Sequence, residues 1–74
     1  MNISDRITID KQIMHGKPII TNTRVPVHMI LGLLSDGLSP DDIIKDYYDI
    51  TKEDIYACIH YAKTIVEEEN IIAG

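Results

Sequence analysis

With 74 residues the chain has room for one small domain, which buries only a modest share of its surface. A single cysteine, Cys58, excludes an intrachain disulfide and a cysteine-built zinc site, and no apolar run reaches the roughly 18 residues of a membrane span. The net charge of −5 runs against the basic footprint that nucleic-acid binding usually leaves.

Residues 1–26 read as an extended arm. Ile7 and Ile9 alternate with Arg6, Thr8 and Asp10, the period-two pattern of a half-buried strand. His15-Gly16-Lys17-Pro18 predicts a turn, with Gly16 free to take positive φ. Pro18–Thr21 predicts a second short strand. Thr21-Asn22-Thr23-Arg24 then turns again, because asparagine enters the left-handed region more readily than most residues. The N-terminus has no basic segment leading into an apolar one, as a signal peptide would. With the lone cysteine, this makes the cytoplasm the expected compartment.

Three helices follow. Val27, Ile30, Leu31 and Leu34 form the i, i+3, i+4, i+7 stripe of an amphipathic helix over about 27–36, and Gly37 stands where a C′ glycine stops it. Ser39-Pro40-Asp41-Asp42 opens a short helix over 40–47. It has a serine N-cap, proline at the first helical position and acids at the positive end of the dipole. Ile43, Ile44 and Tyr47 share one side of it. Thr51 caps the third helix, about 52–68, with Asp54 three residues on as a weaker relative of the capping box. Its expected buried stripe is Ile55, Cys58, Ile59, Ala62, Ile65 and Val66. The plan is mainly α: a small tri-helical helix-turn-helix domain of the homeodomain-like or winged kind, with short N-terminal β-strands, over residues 1–74.

The segments His15-Gly-Lys-Pro-Ile-Ile-Thr-Asn-Thr-Arg-Val-Pro-Val27 and Ser39-Pro-Asp-Asp-Ile-Ile-Lys-Asp-Tyr-Tyr-Asp-Ile-Thr-Lys-Glu-Asp-Ile-Tyr-Ala-Cys-Ile-His-Tyr-Ala62 carry a resemblance. Over about residues 13–62 they resemble the family called domain of unknown function four-three-three, also described as VapB-type antitoxin-like. Two positions depart from its pattern: Asn22 stands where glycine is usual, and Tyr47-Tyr48-Asp49 replaces a tyrosine-proline pair. The resemblance implies a helix-turn-helix DNA-binding fold acting in transcription regulation. It also implies the antitoxin role in a type II toxin–antitoxin system, masking a PIN-like ribonuclease toxin.

Charge is unevenly spread. Through Leu34 there are four basic and two acidic residues, a net of +2; from Ser35 onward there are three basic and ten acidic, a net of −7. An acidic C-terminal half suits contact with another protein. Within it, Lys52, Tyr56, His60 and Lys63 recur at helical spacing as one solvent stripe of the third helix. That stripe is either a DNA-contacting face or the ordinary polar face of an amphipathic helix. Arg24, with Lys17 and Arg6, offers a second cationic site, for a phosphate or for a carboxylate that ties the arm to the helices. The tail Glu67-Glu68-Glu69 with Ile71 and Ile72 either frays or docks on a cationic partner.

His15, His28 and His60 show no metal-ligand spacing, Cys58 falls in an apolar stripe, and no nucleophile, phosphate-loop or dinucleotide fingerprint is present. A non-enzyme without cofactor or metal is expected. The functional expectation is an antitoxin-like regulator that binds operator DNA as a homodimer, its N-terminal strands pairing between subunits. The alternative is a protein-interaction module with no DNA role.

Overall fold

The computed structural model describes the backbone of residues 2–73 and the side chains of residues 5–68. Three short strands, β1 (Asn2–Ser4), β2 (Ile7–Thr8) and β3 (Ile19–Ile20), form one antiparallel sheet in that order. They pair within the chain, Ile7 opposite Ile20 and Thr8 opposite Ile19. The extended arm is thus a folded sheet. The expected run through Ile9 stops at Thr8 because Asp10 starts a turn, its carboxylate accepting from Gln12 N–H at 2.9 Å.

The turn before β3 is tighter than expected. Met14, His15 and Gly16 all take positive φ, at 52°, 58° and 83°, although only the glycine does so without steric cost. After β3, Asn22 is left-handed as predicted, with φ 65°. Thr23 locks that turn, its hydroxyl donating to Ile20 C=O at 2.7 Å and accepting from Val25 N–H at 3.0 Å.

Helix α1 (Val27–Ser35) ends where Gly37 was expected to stop it. With Gly37 at φ 99°, its N–H reaches Leu34 C=O and that of Leu38 reaches Leu33 C=O, the paired bonds of a Schellman ending. Helix α2 (Pro40–Asp46) is opened by a reciprocal capping box between Ser39 and Asp42. These hydrogen bonds to the Ser39 backbone and hydroxyl hold the Asp42 carboxyl below the ordinary aspartate range. Helix α3 (Lys52–Ala73) continues beyond its expected end at 68.

The core joins β2, β3 and the three helices. Ile7 and Ile20 from the sheet, Val27 and Ile30 from α1, and Ile43 from α2 meet Ile50 and the α3 residues Ile55 and Cys58 in one buried cluster. Most are isoleucine, whose branched side chain loses little freedom on burial and packs well on a pleated surface. The chain has no phenylalanine or tryptophan, so aliphatic burial carries the fold.

Candidate interaction surface on the third helix

The start of α3 is fastened at three points. Asp54, although 8 % exposed, accepts from Thr51 N–H at 2.9 Å, while its own N–H donates to the Thr51 hydroxyl at 3.2 Å. The weak relative of a capping box is therefore a complete one. The second oxygen of Asp54 accepts from the Arg6 guanidinium at 2.9 Å, tying the sheet to α3. Lys52 reaches across to Asp41 at the head of α2, at 2.8 Å. That contact raises the Lys52 ammonium above its ordinary value.

These contacts revise the expected cationic sites. The carboxylate tie between arm and helices exists, but Arg6 makes it; Arg24 is exposed beside an open cleft with Thr8, Thr21 and Thr23. Lys17 is exposed at a different place, on a groove with Val27 and Leu31. Arg24 and Lys17 thus line different hollows. Asp54 does not join the solvent face as a phosphate-repelling acid, because the cap and Arg6 hold it inside.

Lys52, Tyr56, His60 and Lys63 are all exposed along α3, as their spacing requires. Both lysines are nonetheless paired: Lys52 with Asp41, and Lys63 with Glu67 at 3.2 Å one turn on. Such surface pairs are weak and exchange readily.

The apolar side of α3 departs most from expectation. Ile55 and Cys58 are fully buried, but Ile59 is 42 %, Ile65 38 % and Val66 52 % exposed. The helical period continues past Cys58 while the body that would cover it does not. Ile59, Ala62 and Val66, at steps of three and four, line a shallow groove whose rim carries Lys63 and Glu67. Glu67 is exposed there, and Glu68 is exposed on another side of the helix. Glu69, Ile71 and Ile72, expected with them in partner binding, lie outside the residues whose side chains are described.

Tyr48, 91 % exposed in the α2–α3 connection, was missed. It lies outside both helical patterns, so no period marked it. The connection itself is held by Ile50, buried and donating to Tyr47 C=O at 3.0 Å.

Catalytic chemistry finds no support in Cys58. Burial, with the Asp54 carboxylate nearby, pushes its thiol up to about 11, which keeps it protonated and unreactive. His15, His28 and His60 are exposed on separate elements, and among the described residues no three metal-ligating side chains gather. No helix in the described residues is long and apolar enough to cross a membrane.

The family described as "Protein of unknown function (DUF433)" matches residues 7–62. The chain belongs to the DUF433 family. Its fold is similar to that of a crystal structure of a DUF433 member protein from Anabaena variabilis ATCC 29413, with a TM-score of 0.79 and 28 % identity. That alignment covers 96 % of this chain and 71 % of the other. No curated protein matches the chain. The matched segment ends at Ala62, so the exposed distal turns of α3 lie beyond the family's matched region.

Proposed function

We propose that this DUF433 chain is an antitoxin-like binding protein that masks a basic, PIN-like ribonuclease partner with the distal half of α3. The observation that carries this reading is the uncovered groove of Ile59, Ala62 and Val66, with Glu67 and Lys63 on its rim, in the acidic half of the chain. Apolar side chains in line supply contact area, and the rim carboxylate, with the net charge of −7 beyond Leu34, favours a cationic surface over a neutral or acidic one. A nuclease surface that binds RNA phosphates has that cationic character.

The test is inhibition of RNA cleavage by a nuclease encoded beside the gene, followed with calorimetric titration of the pair. Wild-type chain is expected to bind and inhibit. Ile59→Asp with Val66→Asp is expected to weaken binding on the order of a hundredfold, because it places two charges in the apolar contact. Binding unaffected by that double change would remove the reading.

Operator binding is a second reading, favoured by the shared exposure of Lys52, Tyr56, His60 and Lys63 on one face of α3. In it, α3 lies in a major groove, with the lysines on phosphates and Tyr56 and His60 at base edges. Anisotropy titration against the DNA upstream of the gene tests this. Affinity is expected to fall steeply with salt and with Lys52→Ala/Lys63→Ala. No binding at low salt leaves only the partner-masking role.

A further inference from the structure

The molecule exposes more surface than its mass predicts. A compact monomer of 8.4 kDa is expected to expose about 4,600 Å², whereas this chain exposes 5,261 Å². Its radius of gyration is 12.7 Å, against about 11.3 Å for a compact domain of this length.

A second apolar hollow lies on the other flank of α3 from the Ile59–Val66 groove. It is a groove of about 260 Å³ between the arm, α1 and α3, walled by Pro18, Val27, Leu31 and Tyr61, with Lys17 and His28 as its polar residues. Ile65, 38 % exposed, follows Tyr61 by one helical turn and extends the same apolar face. Glu68, exposed and seven residues beyond Tyr61, lies on that face again. One continuous patch therefore carries an apolar centre, a lysine from the basic half of the chain and a glutamate from its acidic half.

We infer that this patch is the interface between two copies of the chain, related by a twofold axis. A twofold contact places the same patch on both sides, so the patch must complement itself. Here it does: Tyr61 and Ile65 of one copy cover the Leu31 groove of the other, and Lys17 meets Glu68 across the axis. A like-charged acidic patch would repel its own copy, and the net charge of −7 beyond Leu34 makes that a danger for α3 taken alone. Lys17 is what allows self-pairing at this place. The Ile59–Val66 groove stays free on the opposite flank.

The experiment is sedimentation equilibrium on the full chain, with circular dichroism to verify that each variant is folded. Wild type is expected at twice the 8.4 kDa of the chain, with association weakened by added salt. Ile65→Glu and, separately, Lys17→Glu are each expected to weaken dimerisation on the order of tenfold or more. Combining Lys17→Glu with Glu68→Lys is expected to restore it, because the pair is only exchanged. Ile59→Asp/Val66→Asp is expected to leave the dimer intact. A wild-type chain that stays at single mass at its highest soluble concentration overturns the inference. So does a dimer that ignores both single changes, or one lost only through the Ile59/Val66 pair.

Discussion

The two halves of α3 share one hydrophobic period and have opposite surroundings. In the first two turns, Ile55 and Cys58 are sealed into the core, and Asp54 is held by both Thr51 and Arg6. From Ile59 onward the same stripe faces solvent, and acids accumulate toward the helix end that disfavours them. The first half holds the domain together. The second adds little to its stability and offers apolar surface bordered by charge, which suits association.

The largest test of that division is a pair of truncations one helical turn apart. Ile55→Ala is expected to cost about 2–5 kcal/mol, the range for emptying a fully buried aliphatic site. Ile59→Ala is expected to cost less than about 1 kcal/mol in the isolated chain, since little of its contact is internal. Urea unfolding measures both, and similar values would erase the distinction between the halves.

Next comes Asp54→Ala, which removes the cap acceptor of α3 and the partner of Arg6 together. A loss of about 1–3 kcal/mol is expected. Arg6→Ala removes the ion pair and leaves the Thr51–Asp54 cap in place, and the guanidinium is half-exposed, so about 1 kcal/mol or less is expected. A double-mutant cycle separates the tie from the cap.

The reasons for what was legible differ between the two halves. The starts of α2 and α3 were readable because Ser39-Pro40-Asp41-Asp42 and Thr51-Lys52-Glu53-Asp54 encode local bonds that span three residues. Asn22 and Gly37 were readable for the same reason, as each answers to its own backbone angle. Which arginine meets Asp54 was not readable, because Arg6 lies 48 positions away and only the folded sheet brings it there. The distal stripe misled because periodicity identifies the apolar side of a helix and not whether anything faces it. Of the candidate site, the exposed stripe Lys52–Lys63 was legible, while the pairing of its lysines and the groove at Ile59, Ala62 and Val66 were not.

Cys58 gives a chemical version of the comparison. Its thiol, pushed up to about 11, is expected to resist alkylation by iodoacetamide in the native chain at pH 8, whereas a Val66→Cys thiol on the exposed half reacts as a free thiol does. The linkage has a definite sign. A thiol whose folded value is raised favours folding fully below its unfolded value of about 8.5. That contribution is lost as pH rises from there through about 11. Urea midpoints are therefore expected to fall over that window, and less so in Cys58→Ser when each is compared with its own value at pH 7.

The smallest effect is expected at Asp41, and it bears on the DNA reading most directly. Asp41→Asn removes the carboxylate that holds Lys52 and leaves the Ser39–Asp42 capping box in place. Since that pair is solvent-exposed, the unfolding midpoint at pH 7 is expected to move little. What remains of the difference should disappear at strongly alkaline pH. A lysine whose folded value is raised stabilises below its unfolded value of about 10.4, and the benefit is lost as pH rises through the folded one. The freed ammonium then tests the exposed stripe. If α3 contacts phosphates, removing one nearby negative charge should tighten operator binding and steepen its salt dependence. If α3 serves only protein partners, Asp41→Asn should leave DNA affinity unmeasurable while binding to the nuclease through Ile59 and Val66 is unchanged.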